Sequence, residues 1–277
     1  MADVLDVGPR VRELSCVAEQ QAAAALFTRV WSGGGASHQP LEPSLIRALA
    51  HAGNYVAGAY VGGELVGATV AFFAGDGTLR SYITGVLPGH RGLHVGRAIK
   101  QHQRAWATAR GITEIHWTFD PLIGRNAHFS LHRLGARAVD YLPDFYGAMR
   151  DGINRGDASD RFYVVWRLDS ARAAAAAAGD PSPVPEAVLR AAVPVVGRAG
   201  DEPVLREAPV RDGSPLLVAV PEDVEALRAS DLALATRWRL AVRDAIRMAL
   251  ADGYTVEGLS SEGSYVLTSS SPRDGRA

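Results

Sequence analysis

The pattern of hydrophobic and polar positions along the first 168 residues predicts a mixed α/β fold. Alternating or continuous apolar runs indicate strands, whereas apolar positions three and four apart indicate helices. Glycine turns at Gly62-Gly63-Glu64 and Gly75-Asp76-Gly77 join three strands into an antiparallel meander. The predicted strands cover residues 11–16, 55–61, 65–73, 78–86, 114–119, 136–142 and 161–168; the predicted helices cover residues 18–31, 42–52, 95–110 and 126–134. With only one strand–helix–strand crossover around residues 86–97, a long doubly wound sheet is not expected.

The remaining residues predict a linker and a second, smaller module. Residues 171–185 are rich in alanine and then in glycine and proline, a composition typical of a tether. A strand at 215–220, a helix interrupted near Ser230-Asp231 and a hairpin at 254–267 form a βαββ module, which we expect to dock on the first domain because it is small. We therefore predict a first domain at 10–168, a linker at 169–200, a C-terminal α/β module at 201–268 and a disordered tail at 269–277.

The composition is that of a globular protein without a bias toward nucleic acid or membrane. The chain has 277 residues, of which 47% are hydrophobic and 21% charged, and its formal net charge is −1. Cys16 is the only cysteine, which excludes an intramolecular disulfide and fits a reducing compartment. No basic segment followed by an apolar core opens the sequence, and no apolar run is long enough to span a bilayer. These features predict a cytoplasmic protein with no nucleic-acid or membrane partner.

The segment from Val86 to Arg97 is the strongest candidate for a binding site. It leaves a predicted strand, contains three glycines, and enters a predicted helix. Backbone N–H groups at the start of a helix can converge on one anion, and the side chains of Arg91 and Arg97 add positive charge that suits phosphate oxygens. The segment therefore predicts a pyrophosphate-binding loop.

The order of the elements, with this loop at its centre, resembles the GNAT superfamily of N-acetyltransferases over residues 10–168. The resemblance implies a mixed, mostly antiparallel sheet flanked by helices, whose fourth and fifth strands splay apart to admit the pantetheine arm of acyl-CoA. The family's loop corresponds to Arg91-Gly92-Leu93-His94-Val95-Gly96, where His94 stands at a position that is usually glycine. Backbone contacts would persist there if His94 kept helical dihedral angles. The cofactor-binding residues so implied are Val86, Leu87, Arg91, Gly92, Leu93, His94, Val95, Gly96, Arg97 and Asn126.

A narrower similarity concerns a GNAT subgroup that carries a C-terminal extension. It rests on sequence segments that follow the fifth predicted strand and on residues 220–254 as the extension. The segments are residues 117–122, 125–127, 134–135, 145–147 and 159–161. This likeness implies the acyl-CoA co-substrate and the reaction type rather than the acceptor.

The sequence leaves the general base open. The strand at 78–86 carries no carboxylate, although many members of the superfamily place one there. Asp120 and His116 are the nearest candidates. An Asp-Pro turn or helix cap is the alternative for Asp120, and a packed strand histidine is the alternative for His116. A relay of water molecules is a third way to remove the proton.

The general acid is also open, because Leu131 occupies the position where members of the superfamily often carry a tyrosine. Tyr146 is our preferred substitute, ahead of Tyr141, with a buried structural tyrosine as the alternative. Asn126 corresponds to an asparagine that hydrogen-bonds pantetheine in the family, but it lies closer to Gly135 than usual.

Charged residues between the last two strands of the first domain suggest how an acceptor would bind. An arginine at 155 or 161, beside Asp157 and Asp160, could clamp an acceptor carboxylate, unless the connection is merely a solvated loop. His90, His94 and His102 lack a companion cysteine or carboxylate pair, so we expect no metal site.

Together these features predict an enzyme, an acyl-CoA-dependent N-acyltransferase. It would use acetyl-CoA, or another acyl-CoA such as succinyl-CoA if a basic residue lines the acyl pocket. The acceptor would be a small-molecule amine, such as an amino acid, that attacks the thioester directly. The predicted catalytic residues are Asp120, Tyr146 and His116. The alternative is a GNAT-like sensor or interaction module that binds acyl-CoA without turnover. A homodimer is compatible with either function.

Overall fold

The computed structural model describes residues 8–32, 39–147, 149, 151–181, 183–206 and 213–269. The chain divides into two compact units, which are described separately below. Unit 1 comprises residues 1–117 and 151–153, and unit 2 comprises residues 118–150 and 154–277. The division falls inside one strand, Glu114–Phe119, so this strand contributes its last two residues to unit 2.

Unit 1 contains five neighbouring strands of a mixed sheet, with helices on the two faces. The strands follow the order β1-β2-β3-β4-β5, and all neighbours are antiparallel except β4 and β5, which are parallel. The hairpin between β2 and β3 turns through Gly62 and Gly63, whose φ angles of 58° and 86° suit a two-residue turn. Its elements are β1 (Arg10–Glu13), α1 (Val17–Trp31), α2 (Pro43–His51), β2 (Tyr55–Val61), β3 (Glu64–Phe73), β4 (Leu79–Val86), α3 (Val95–Thr108) and β5 (Glu114–Phe119).

Each face of this sheet is covered by helices through a separate hydrophobic cluster. Phe27 of α1 and Ile46 of α2 pack in one cluster with Val70 and Ile83 of the sheet. Val95 and Ile99 of α3 pack in another cluster with Ala59 and Val66 of the sheet. Because strand side chains alternate between faces, the meander can bury both faces under different helices.

Unit 2 combines a strand pair with a second sheet. Strands β6 (Arg137–Leu142) and β7 (Arg161–Arg167) pair antiparallel, and α4 (Gly124–Ala127) continues into a π-helical turn at His128–Arg133. The second sheet has five strands in the order β11-β12-β10-β8-β9. Its elements, with the helices that accompany them, are α5 (Ala171–Ala178), α6 (Glu186–Ala191), β8 (Val193–Ala199), β9 (Glu202–Leu205), β10 (Leu216–Ala219), α7 (Val224–Ser230), α8 (Leu232–Ala251), β11 (Tyr254–Leu259) and β12 (Ser264–Ser269).

The structure differs from the expected βαββ module in its number of strands. β8 and β9 lie in or beside the segment expected to be a linker, and they extend the sheet from three strands to five. β8 pairs parallel with β10, beginning at Val193 and Leu216, a contact between distant residues that local periodicity does not reveal. The predicted break in the long helix is confirmed, since α7 ends at Ser230 and the Asp231 side chain caps α8.

The expected linker also contains two helices. Ser170 caps α5 through a hydrogen bond from the Ala173 N–H, and Gly179 ends the helix in a left-handed conformation. Gly135 is required nearby, because a Cβ atom there would lie 2.6 Å from the carbonyl oxygen of Arg172. The domain boundary at residue 168 stays a prediction, and of the predicted tail only Ser269, in β12, lies among the described residues.

Candidate functional site

The loop after β4 connects a strand end to a helix start within a few residues. The Leu87 N–H donates to the Val66 carbonyl at 2.9 Å, so β3 occupies a donor that the sequence assigned to the cofactor. A short 3₁₀ turn, Pro88–His90, follows, and Gly92 adopts a positive φ of 81°. The Leu93 side chain is 55% exposed, and Arg91 is also exposed. This conformation presents the backbone of the loop to solvent ahead of α3.

His94 does not have helical backbone dihedral angles. It is the N-cap residue of α3 with φ 59° and ψ 7°, which is the left-handed region and not the helical one. A side chain there costs about 1–2 kcal/mol relative to ordinary backbone, which explains why related loops favour glycine at this position. The condition under which the sequence predicted that backbone contacts persist at His94, helical dihedral angles, is therefore not met.

The start of α3 nevertheless presents backbone N–H groups that no carbonyl of the helix accepts. The first intrahelical bond runs from the Ala98 N–H to the His94 carbonyl, so the N–H groups of Val95, Gly96 and Arg97 have no acceptor within the helix. These groups and the helix dipole favour an anion at this end. Glycine at 96 leaves the backbone open to close approach, while the Val95 side chain is 1% exposed and anchors the helix to the sheet.

β4 and β5 pair at only one end. Their parallel register includes Leu79 with Ile115 and Arg80 with His116, and within unit 1 it does not continue to Ser81 and Trp117. β4 runs on to Val86, paired with β3 on its other edge. One edge of β4 between Ser81 and Val86 therefore lacks a β5 partner within unit 1 and leads directly to the loop.

A β-bulge changes the direction of the side chains along β4. Ser81 pairs with Ala71, but Ile83 pairs with Val70, so Tyr82 is an extra residue in the strand. Residues 81 and 83 would share a face in a regular strand, and the bulge places them on opposite faces. Ile83 joins the cluster under α1 and α2, whereas Ser81 contacts α3.

His116, a predicted catalytic residue, is buried and has hydrogen-bond partners at both ring nitrogens. Its Nε2 lies 2.8 Å from the Glu114 carboxylate, and its Nδ1 faces the Arg80 guanidinium. Since an arginine can only donate, Nδ1 acts as the acceptor and Nε2 carries the proton. This arrangement fits the packed strand histidine that the sequence left as the alternative.

Asp120, the other predicted base, lies in unit 2 and is 4% exposed. Its Oδ1 accepts from the Leu122 N–H at 3.0 Å and from Arg239 Nη1 at 2.8 Å, and its Oδ2 accepts from Arg239 Nη2 at 3.0 Å and from Arg228. Burial alone would raise the pKa of this carboxyl, but the charges of Arg239, Arg228 and Arg161 outweigh it and hold the pKa well below its usual range. The Asp-Pro turn, which the sequence offers as an alternative role for Asp120, is present, since the Leu122 N–H donates to Oδ1. Both carboxylate oxygens accept hydrogen bonds from arginine.

Asp120 belongs to a buried ionic cluster that helices α7 and α8 complete. Asp157 accepts from Arg228 at 3.0 Å and from Arg239 at 2.7 Å. Asp160 accepts from both Arg243 Nε and Nη2, at 2.8 and 2.7 Å, and from the Tyr141 hydroxyl at 2.7 Å. Arg228 and Arg239 lie in the C-terminal extension, and the sequence alone predicts no role for them. The only signal in the sequence was Arg239 on the otherwise apolar face of α8.

Arg161 is the cation of this cluster with the weakest compensation. Its ion pair is with Asp120, where Nη1 lies 4.0 Å from Oδ2. Its Nη1 donates to the Asp160 carbonyl at 2.8 Å, and its Nη2 donates to the Met149 thioether at 3.0 Å. A thioether is a weak acceptor for a guanidinium N–H. Burial lowers the pKa of Arg161. The cluster therefore holds four arginines (161, 228, 239 and 243) against three aspartates (120, 157 and 160).

Tyr146 lies beside this underpaired arginine. Its side chain is 47% exposed, its hydroxyl is 3.1 Å from Thr118 Oγ1, and the Arg161 guanidinium is 5.3 Å from its ring centroid. The alternative of a buried structural tyrosine does not describe it. Tyr141 does fit that description, because it is 3% exposed and its hydroxyl donates to Asp160.

The other predicted positions are less exposed. Asn126 lies half-buried on α4, next to Arg125, which forms an ion pair with Glu225 at 2.7 Å. Leu131 is 1% exposed and packs as a core residue where relatives often carry tyrosine. In the described parts of the chain, no three or more His, Cys, Asp or Glu side chains form a group that could hold a metal ion. No described helix is long and apolar enough to cross a membrane.

Comparison with known families agrees with the loop geometry. The sequence model of the acetyltransferase (GNAT) family matches residues 20–136, which include β4, the loop and α3. Residues 20–136 form a GNAT domain. The match supports acyl-CoA-dependent N-acetyltransferase activity in general terms. Among curated protein sequences, none matches this chain.

Solved structures similar to this GNAT protein are distant in sequence. The ribosomal-protein-S18-alanine N-acetyltransferase from Escherichia coli is 12% identical with a TM-score of 0.48, and the alignment covers 59% of this chain and 96% of that one. The protein yncA from Salmonella typhimurium, solved with its cofactor acetyl-CoA, is 16% identical with a TM-score of 0.48, covering 59% and 95%. Naa50 from Arabidopsis thaliana, in complex with a bisubstrate analogue, is 19% identical with a TM-score of 0.45, covering 57% and 98%. The family assignment rests on the sequence match and not on these superpositions.

Proposed function

We propose that this protein transfers an acyl group from acyl-CoA to the amine of a small molecule. The observation that supports this most is that β4 pairs with β5 only as far as Arg80 and then runs on to the loop without a β5 partner within unit 1. We assign the pyrophosphate to the backbone of residues 91–97 and to the side chains of Arg91 and Arg97. The edge of β4 that lacks a β5 partner within unit 1 suits the amide groups of a pantetheine arm, because a strand edge carries N–H and C=O groups that can bond an extended chain.

We further propose that the acceptor carries a carboxylate, as an amino acid does. Arg161 supports this assignment because its own partners are a peptide carbonyl and a thioether, and a carboxylate would be a stronger acceptor for both N–H groups. The surplus positive charge of the buried cluster favours the same ligand class. Tyr146, a half-exposed residue whose ring lies beside the Arg161 guanidinium, is the residue to which we assign proton donation to the leaving thiolate.

Asp120 and His116 have structural roles in this proposal. Every acceptor atom of the Asp120 carboxylate is bonded to arginine or to backbone, and His116 is held between Glu114 and Arg80. Proton removal from the amine then falls to water. The same facts favour the second candidate function, a protein that binds acyl-CoA as a sensor without turnover.

Calorimetric titration with CoA and acetyl-CoA tests the loop. The double variant Arg91→Glu, Gly96→Trp should lose binding, because it reverses a charge and fills the approach to the α3 start. Arg29→Glu, an exposed charge reversal on α1, should bind as the unmodified protein does. Equal binding in the double variant and the control would overturn the assignment. Thiol release against a panel of amino acids and polyamines separates the enzyme from the sensor, since only the enzyme releases CoA when an acceptor is added.

A further inference from the structure

Lys100, on α3, is the only lysine among the 277 residues of the chain. The other 28 residues of the Lys and Arg total are arginines. Its side chain is 4% exposed, although lysine is among the residue types that are almost never buried without a partner. A single buried lysine, in a chain whose other 28 Lys and Arg positions are all arginine, requires an explanation.

The contacts of Lys100 are all electrically neutral. Its Nζ donates to Ser81 Oγ at 2.7 Å and to Gln103 Oε1 at 3.0 Å, and it lies 4.4 Å from the centre of the Trp117 ring. Across the described residues, no carboxylate forms an ion pair with it. Burial lowers the pKa of Lys100 to about 7. The buried arginines 228 and 239 differ, since each pairs with two aspartates.

Beside Lys100, the Gln103 amide N–H groups have no acceptor among the described residues. Gln103 is completely buried, its Oε1 accepts from Lys100, and its Nε2 is buried without a hydrogen-bond partner. Because the lysine fixes which end of the amide is oxygen, Nε2 is a donor. A buried donor without an acceptor costs about 1–3 kcal/mol. The two side chains together form a positively charged, donor-rich pair to which no anion of the described chain is bound.

The pair lies where β4 and β5 part. Ser81 and Trp117 are the residues that directly follow the last paired residues, Arg80 and His116, and Lys100 contacts both of them. The bulge at Tyr82 is what turns Ser81 toward α3. From Val86, next to the loop, back to Ser81 the strand spans five residue steps, or roughly 16 Å. Lys100 therefore lies beside the Ser81 end of the β4 segment 81–86, and the loop lies at the Val86 end.

We propose that Lys100 and Gln103 bind a carboxylate at the end of the acyl chain, so that the preferred donor is a dicarboxylic acyl-CoA such as succinyl-CoA. The inference rests on the proposed function, because it takes the pyrophosphate to lie at the loop and the pantetheine arm to follow β4. The acyl group is then the part of the ligand farthest from the loop. A terminal carboxylate supplies the missing counter-charge to Lys100 and an acceptor for Gln103 Nε2, whereas an acetyl group supplies neither.

Calorimetric titration of the full chain with succinyl-CoA, acetyl-CoA and CoA tests the proposal without knowledge of the acceptor. We expect succinyl-CoA to bind about tenfold or more tightly than acetyl-CoA, the advantage of one charge-assisted hydrogen-bonded pair. Lys100→Met should lower the affinity for succinyl-CoA to about that for acetyl-CoA and so abolish this preference. Gln103→Met should reduce the preference in part. Arg110→Met, which removes a charge two residues after the end of the same helix, should retain it.

Since the chain has one lysine, nitrogen-15 labelling of lysine gives a single side-chain resonance that reports on Lys100 alone. We expect this resonance to shift with succinyl-CoA and to change little with acetyl-CoA or CoA. Equal affinities for the two acyl-CoAs, a preference that survives in Lys100→Met, or the same shift with every ligand would overturn the proposal. If no CoA species binds at all, the proposed function itself fails, which distinguishes that outcome from the failure of the lysine assignment.

Discussion

Arg239 forms a bidentate ion pair with Asp120, with Nη1 2.8 Å from Oδ1 and Nη2 3.0 Å from Oδ2. Both groups are nearly inaccessible, at 0% and 4% exposure. The guanidinium comes from α8, and the carboxylate immediately follows β5. Asp120 is the carboxylate that the sequence predicts as a catalytic base. This two-point contact instead gives it a structural role in unit 2.

Asp120→Asn should destabilise the protein by about 3–5 kcal/mol, because it leaves buried arginines without their counter-charge. Urea denaturation measures the effect. Asp180→Asn, at an exposed position, should change the free energy of unfolding by no more than about 0.5 kcal/mol. Acetyl-CoA affinity should persist in the folded fraction of Asp120→Asn. An unchanged free energy of unfolding with turnover abolished would instead make Asp120 a catalytic base.

The ionic cluster should also make the protein sensitive to acid. The pKa values of Asp120 and Asp160 are held below their usual range in the folded state, so the unfolded chain binds more protons as the pH falls. Their stabilising contribution is complete above about pH 5 and is lost progressively as the pH falls through 4 toward the folded-state values. Thermal unfolding between pH 7 and pH 3 should show this loss, and Asp120→Asn should show a shallower dependence. A parallel dependence in the two proteins would contradict the assignment.

Lys100 should also make stability rise with pH, but in a higher pH window than the aspartates. Its folded pKa of about 7 lies below its unfolded value, so between pH 7 and pH 9 the unfolded chain holds the extra proton and stability rises with pH. The slope is at most about 1.4 kcal/mol per pH unit. Denaturation at several pH values in this window should show the rise, and Lys100→Met should flatten it. A slope that is the same in both proteins would mean that Lys100 titrates normally.

His94→Gly should stabilise the protein by about 1 kcal/mol, because glycine adopts the left-handed conformation without strain. Leu93→Gly, one residue earlier, should give no such gain, since Leu93 is not among the residues with positive φ. Acetyl-CoA affinity should remain within a few-fold in His94→Gly, because the proposed contacts are backbone groups. A loss of tenfold or more would show that the imidazole itself binds the ligand.

Arg161→Lys should raise the KM for amino acids about tenfold or more and leave polyamines unaffected, because lysine keeps the charge but loses the two-point fork. Arg137→Lys, at a position 54% exposed in its side chain, is the matched control and should behave as the unmodified protein. Thiol release with amino acids and with their amides gives the measurement. Equal changes for acceptors with and without a carboxylate would argue against a clamp.

The elements of unit 1 follow closely from local sequence. The Gly62-Gly63 turn, the proline that opens α2 and the glycine-rich loop before α3 each encode backbone geometry within a few residues. The break at Ser230-Asp231 was equally visible, because an aspartate that caps a helix is a local signal. The additional strands β8 and β9 were not visible, since β8 joins its sheet by pairing parallel with a strand more than twenty residues away.

The sequence by itself determined the family of this protein, the loop that we propose to hold a pyrophosphate and the residue types available for chemistry. Only the tertiary structure decided what those residues can do. Asp120 is held by arginines more than 100 residues away along the chain, and His116 is held by Arg80 on another strand. A carboxylate or imidazole whose polar atoms are all hydrogen-bonded is a poor acceptor for a proton from a substrate. Lys100 looks like any surface lysine of an amphipathic helix until a one-residue bulge in β4 and the parting of β5 surround it with neutral groups. Charge and pKa depend on neighbours in space, and a linear pattern does not contain them.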